Sequence, residues 1–209
     1  MKYKLLIFDW DGTLANTHPA VVRTMQQVAA DLQLPIPKEE DITAGFGWTL
    51  ENIVRKLFPT ADCQIFHEKF YQYCANGDSR DQLFDGTLRT LQNLQQQNYL
   101  LAIATNKTRK ELLFSLDHLE LHNYFCTLRC GDDDFTKPQP EVLHGILNEL
   151  SVKPQDAVMI GDSSFDMLVA QNAKVDAIAV CCNKQQKQEL SQYNPIVCIK
   201  SLSELHHYI

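Results

Sequence analysis

The sequence is short of the features that mark many protein classes. It has no long apolar run: the first, Leu5 to Phe8, stops at Asp9, and no later stretch approaches membrane length. Neither a secretory signal core nor a membrane span is expected, and the location expected is cytoplasmic. Basic side chains are scarce, 19 against 26 acidic ones, for a net charge of -7. Nucleic-acid binding needs a basic footprint, so it is not expected. The seven cysteines are odd in number and none forms a C-x-x-C pair, which disfavours a zinc ribbon or a disulfide framework. Cys126, Cys181 and Cys198 sit in apolar runs and are read as small buried hydrophobes. There is no internal repeat and no low-complexity tract.

What remains is an ordinary globular composition, 44% apolar and 22% charged over 209 residues. That length suits one domain, or a core with a smaller insert. Short apolar runs recur at 4–9, 99–106, 157–162, 176–182 and 195–199, each of a kind buried on both faces of a parallel sheet. Helical periodicity lies between most of them, over 87–97, 110–119, 141–150 and 165–173. This alternation predicts an α/β fold with a doubly wound, Rossmann-like parallel sheet. From Ala15 to Gln82 the alternation breaks. Helical patterns at 18–34, 49–58 and 63–76 follow one another with no convincing strand, and Pro35 and Pro37 stop the first. The reading is a core of residues 1–14 and 83–209 with an inserted helical cap of residues 15–82. Its hinges are placed near Leu14–Thr17 and Leu83–Gly86.

Four polar clusters fall at strand ends, where doubly wound sheets bind ligands. They are Asp9 with Asp11, Thr105 with Asn106, Lys137, and Asp162 with Asp166. Taken singly, each has a plain alternative. Asp-Gly at 11–12 is a common turn; Thr105 and Asn106 could cap the next helix. Lys137 could be a solvated residue before a helix opened by Pro138; Asp162 could be an N-cap and Asp166 could serve the helix dipole. Together, and in this order, they suit phosphoryl transfer. A carboxylate, Asp9, can attack phosphorus and divide one hard step into two. The repulsion between two anions then needs a Mg²⁺, held by Asp9 and Asp162, and a lysine, Lys137. Thr105, with Asn106 beside it, can hold phosphoryl oxygens. Asp11 can protonate the leaving oxygen and later activate water. Gly12 permits a tight turn that aims backbone N–H groups at the phosphoryl group.

The ordered segments DWDGTL (9–14), ATNK (104–107), GDDDFTKPQPEVL (131–143) and GDSSFDM (161–167) resemble the four motifs of the haloacid dehalogenase-like superfamily, and within it the phosphatases similar to phosphoglycolate phosphatase. The resemblance covers nearly the whole chain. It implies that Asp9 is the nucleophile and a metal ligand. Asp11 would be the general acid/base, with its backbone carbonyl on the metal. Thr105 and Lys137 would hold the transferring group, Asp162 would complete the Mg²⁺ site, and Asp166 would orient Lys137 or a metal-bound water. The carboxylate at position 11 favours phosphate-ester over dehalogenase chemistry. The helical insert would close over the site. Two departures are a segment ANT at 15–17 and Lys174 where relatives place a glycine that serves a helix C-terminus. Lys107 is read as surface charge.

Substrate choice is assigned to the cap. There Gly45, Phe46, Gly47 and Trp48 form a candidate substrate loop, with aromatic packing inside the helical bundle as the alternative. The partner expected is a small phosphorylated metabolite. Phosphoglycolate is the single best guess, beside nucleoside monophosphates, sugar phosphates and pyrophosphate. A phosphosugar mutase of the same superfamily and a silent binding protein on this fold are the alternatives. In a substrate complex Asp11 is expected to hold its proton more tightly than Asp9. Oligomeric state is not readable from the sequence.

Overall fold

The computed structural model describes residues 2–75 and 81–209. Strand β1 (Leu5–Phe8) is followed by α1 (His18–Asp31), α2 (Glu39–Thr43), α3 (Leu50–Leu57) and α4 (Cys63–Ala75). Then come α5 (Thr87–Gln96), β2 (Leu100–Ala104), α6 (Arg109–His118), β3 (Thr127–Arg129) and α7 (Glu141–Glu149). The chain finishes with β4 (Ala157–Gly161), α8 (Ser164–Ala173), β5 (Asp176–Val180), α9 (Lys184–Ser191) and β6 (Val197–Ile199), before a 3-10 turn at Leu202–His207. The predicted helix over 63–76 ends at Ala75, and Asn76 lies outside the described residues.

The strands form one six-stranded parallel sheet in the order β3-β2-β1-β4-β5-β6. β1 shows how sequence builds its two faces. Alternate side chains point to opposite sides of a strand. Leu6 and Phe8 join a core with Leu91 and Leu94 of α5, Leu112 and Leu116 of α6, and Leu202 and Leu205. Leu5 and Ile7 join another with Val142, Leu143, Ile146 and Leu147 of α7 and Val169 and Ala170 of α8. Both sets are apolar because both faces are covered. β1 is central, with β2 on one side and β4 on the other, so the chain changes winding direction at its carboxyl end. Such a switch point leaves a crevice between the outgoing connections.

Helices α1–α4 assemble their own cluster around Met25, Val28, Ala29, Ile42, Val54, Phe66 and Phe70. The two connections to the sheet run side by side. The Asn16 N–H donates to the Gln82 carbonyl at 2.7 Å, the Phe84 N–H to the Leu14 carbonyl at 3.1 Å, and Ala15 bridges Leu83 antiparallel.

Several sequence expectations need correction. β3, α2 and α9 are elements that the sequence pattern does not predict. β3 is a three-residue edge strand, α2 has five residues, and α9 (KQQKQELS) buries only Leu190, so none carries a readable apolar period. Pro138 does not open a helix: α7 starts at Glu141, after Pro140. Cys181 is buried, whereas Cys126 is exposed and Cys198 half-buried, because hydrophobic neighbours in sequence do not fix which way an edge residue turns. No helix among the described residues is long and apolar enough to cross a membrane.

Candidate active site

Asp9 directly follows β1, Thr105 follows β2, and Asp162 follows β4, so three adjacent strands deliver one polar group each to the same edge. All three are buried, as are Asn106, Lys137 and Asp166. The Lys137 ammonium lies 2.8 Å from Asp9 and 2.6 Å from Asp166. Asp166 is fully engaged: one oxygen accepts from Lys137, the other from the Ser163 N–H at 2.9 Å and the Ser163 hydroxyl at 2.6 Å. Its geometry is that of a group that aims Lys137 at Asp9. The same bonds make Ser163, not Asp162, the N-cap of α8, with Asp166 closing a capping box. Likewise Thr108 with Glu111, not Thr105 or Asn106, caps α6. The capping alternatives for those site residues therefore fall away.

Gly12 adopts φ 81°, and a Cβ there would run into the Asp162 carboxylate. The turn after β1 thus needs a glycine for its conformation and for its approach to Asp162. Thr13 donates to Asp162 at 2.9 Å, and the Gln186 amide donates to its carbonyl at 2.8 Å.

Oxygens of Asp9, Asp162 and Asp166 lie within 4.8 Å of one another. Three buried carboxylates against one ammonium leave two negative charges uncompensated. Burial and the neighbouring carboxylates push the Asp9 carboxyl up to about 7 despite Lys137, and push Asp162 well above the usual range. A small divalent cation with hard oxygen donors is what such a cluster fits. The side chain of Asp11 stands outside this cluster.

Asp11 instead faces Lys107, 3.1 Å away. The sequence suggests surface charge at Lys107. Its side chain is in fact only 12% exposed, because α6 and the return connection at Asp81 wall it in. Burial pushes the Asp11 carboxyl up, but Lys107, with Thr17 and His18, more than offsets this and the net shift is downward. In the free protein Asp9 therefore holds its proton more tightly than Asp11, the reverse of the order expected in a substrate complex. The signal that could have found Lys107 was its place one residue beyond Asn106.

The Asn106 side chain is committed within the protein. An amide NH₂ has two donors, and both are taken, by the Gly47 carbonyl at 2.7 Å and the Lys137 carbonyl at 3.2 Å. Its oxygen accepts from the Lys137 N–H at 3.0 Å. The side chain fastens the lysine loop and the cap loop to the strand edge and has no donor left for phosphate. Thr105 keeps its hydroxyl at the edge, accepting from the Lys107 N–H at 3.1 Å.

The cap loop lies directly over these groups. Gly47 has φ 90°, and a Cβ there would meet Phe165 at 2.9 Å and Ser163 at 3.2 Å. Gly45 is buried, while Phe46 and Trp48 are half-buried, packing against the margin of the helical cluster and facing the cavity below with Gly47. Phe46 stacks on His18 at 4.0 Å between centroids, and Lys56 caps Trp48 at 4.7 Å. A partly open cavity of about 50 Å³ lies between Asp9, Thr105, Lys137 and Asp162 below and Phe46, Gly47 and Trp48 above, with Asp11 and Lys107 on its wall. A second, of about 80 Å³, continues past Asp11, His18 and Lys107 to Val21, Ile53 and Phe70.

A doubly wound α/β core with a buried carboxylate–lysine cluster at its switch point, roofed by a helical insert, defines a hydrolase of the haloacid dehalogenase-like class. The chain belongs to that family: its model, Haloacid dehalogenase-like hydrolase, matches residues 6–180. Among curated relatives, pyrophosphatase PpaX of Bacillus cereus (strain ATCC 10987 / NRS 248) is 28% identical over 98% of this chain and 95% of its own length. Among solved structures, a haloacid dehalogenase-like hydrolase from Bacteroides fragilis superposes with TM-score 0.87 at 27% identity, covering 98% of this chain and 100% of that one. A predicted phosphoglycolate phosphatase from Haemophilus somnus 129pt has TM-score 0.90 at 20% identity, over 99% and 98% of the two chains, a likeness of fold.

Proposed function

We propose that this chain is a Mg²⁺-dependent phosphatase that hydrolyses a small phosphomonoester through an aspartyl-phosphate on Asp9. The observation that carries the reading is the Asp9–Lys137 contact of 2.8 Å within the carboxylate cluster, at the floor of a chamber of about 50 Å³. A cavity needs roughly 10–15 Å³ of such space to hold one water, so the chamber has room for a tetrahedral phosphoryl group. The adjoining space of about 80 Å³ suits a compact leaving group. Phosphoglycolate is the best single candidate, and pyrophosphate joins it because the PpaX relative is a pyrophosphatase by name.

Asp9, Asp162 and, through its backbone carbonyl, Asp11 would hold Mg²⁺, which supplies charge neutralisation at the phosphoryl oxygens. The chain's own groups perform the rest. A carboxylate oxygen of Asp9 attacks phosphorus, and the bond to the leaving oxygen breaks with its electron pair on that oxygen. Asp11, which on this reading takes up a proton when substrate binds although Lys107 favours its anion in the free protein, delivers that proton there. Lys137 and Thr105 hold the equatorial oxygens, where charge is greatest. In the second half Asp11 takes a proton from water, which attacks phosphorus and frees Asp9 as phosphate departs. The cap loop roofs part of the chamber, so movement of the cap would widen substrate entry.

The test is a panel of small phosphoesters and pyrophosphate with Mg²⁺, read as released phosphate. Turnover of none of them sinks the reading.

A further inference from the structure

Lys107 has two carboxylate partners, and only one belongs to the reaction. Its ammonium lies 3.1 Å from Asp11 and 3.4 Å from Asp81. Asp81 belongs to the connection returning from α4 to the sheet, and its side chain is only 8% exposed. The oxygen that faces Lys107 also accepts from the Trp10 indole N–H at 2.7 Å and from the Ser115 hydroxyl at 2.6 Å. Trp10 stands between Asp9 and Asp11 and is itself fully buried. Asp81 is therefore pinned to the turn after β1 and to α6 at once, and Lys107 spans from that fixed point to Asp11. A lysine has a flexible four-carbon stem and a compact charge. Held by one carboxylate alone, it would sample several rotamers; held by two, it fixes where the Asp11 carboxyl sits.

We propose that Lys107 is a positioning residue for Asp11 and that Asp81 anchors it. The proposal rests on the phosphatase reading, in which Asp11 serves the leaving oxygen. Lys107 lines the chamber, and its ion pairs are with Asp11 and Asp81 rather than with Asp9. It acts through Asp11, by keeping that carboxyl on the side of the chamber where the leaving group departs. The arrangement also ties the acid/base to the cap connection, since Asp81 lies beside Gln82, whose carbonyl accepts from Asn16 at 2.7 Å.

The test uses the leaving group. An alkyl phosphate such as phosphoglycolate expels an alkoxide that needs a proton. Acetyl phosphate expels acetate, which does not. General acid–base catalysis contributes about 10²–10⁴-fold, so misplacing Asp11 should cost the alkyl ester far more than the acyl phosphate. In Lys107→Met and in Asp81→Asn the ratio of kcat for phosphoglycolate to kcat for acetyl phosphate should fall by about tenfold or more, with KM little changed. Asp81→Asn keeps an acceptor for Trp10 and Ser115, which protects the fold, and thermal melting checks it. Lys107→Arg keeps a cation between the carboxylates and should restore most of the ratio. Equal losses on both substrates, or an unchanged ratio, overturn the assignment. If phosphoglycolate is not a substrate, the ratio is read on whichever alkyl phosphate of the panel the wild type hydrolyses. A wild-type protein that turns over no member of the panel overturns the phosphatase reading, whereas an unchanged ratio in an active enzyme overturns only this assignment.

Discussion

The Asn106 side-chain amide donates 2.7 Å to the Gly47 carbonyl, joining the strand edge to the cap loop across the mouth of the chamber. The same side chain accepts from the Lys137 N–H at 3.0 Å. Asn106→Ala removes both links. A net hydrogen bond is worth about 1 kcal/mol, so the loss is expected mainly in closure: KM for a small phosphoester rises by about fivefold or more. Steady-state kinetics of the variant checks this, and an unchanged KM and kcat would detach Asn106 from cap closure.

Asp9→Asn should remove turnover by on the order of 10⁴-fold or more, with the fold intact. The cluster carries three buried carboxylates against one ammonium, so deleting one charge relieves repulsion. Its melting temperature should therefore equal or exceed that of wild type. Phosphate release and thermal unfolding measured together decide it; retained activity excludes Asp9 as nucleophile.

Mg²⁺ should stabilise the protein. A ligand at a hundredfold excess over its Kd contributes about 2.7 kcal/mol, or very roughly 5–10 °C for a chain of this size. Asp162→Asn should reduce that shift sharply, since Asp162 lies within the cluster of oxygens spanning 4.8 Å. Differential scanning fluorimetry with and without Mg²⁺ reads both. A wild-type protein whose melting temperature ignores Mg²⁺ would remove the metal from the site.

Lys174 ends α8 in the left-handed region, φ 57° and ψ 37°, and is exposed. A non-glycine residue pays about 1–2 kcal/mol there, partly offset by the greater freedom of glycine in the unfolded chain. Lys174→Gly should stabilise by roughly 0.5–1 kcal/mol and leave kcat unchanged. Chemical denaturation is the measurement, and a destabilised variant would contradict the capping argument.

Thiol reactivity should divide the cysteines by burial. Burial pushes the thiols of Cys130 and Cys181 up to about 12, and both are buried. Cys126 and Cys182 are exposed. Since the thiolate is the reactive form, labelling of the native protein near neutral pH should modify Cys126 and Cys182 first and Cys130 and Cys181 last, as read by peptide mass mapping.

The sequence by itself determined the α/β sheet, because strands buried on both faces must be apolar throughout and cannot be mistaken for amphipathic surface. It also marked Asp9 and Asp162, because a carboxylate at the end of an apolar strand costs free energy that only chemistry or a partner offsets, and Asp11, Thr105, Lys137 and Asp166 through the ordered motifs that resemble those of the family. It could not supply β3, α2 or α9, whose apolar content is too small to set a period. Tertiary structure alone decided the fates of Lys107 and Asn106. Both stand beside Thr105 in one loop, yet one is walled in between Asp11 and Asp81 and the other spends its amide on Gly47 and Lys137. Those partners lie far away along the chain, and no local pattern encodes a contact whose two halves meet only when the sheet and the cap have closed on each other.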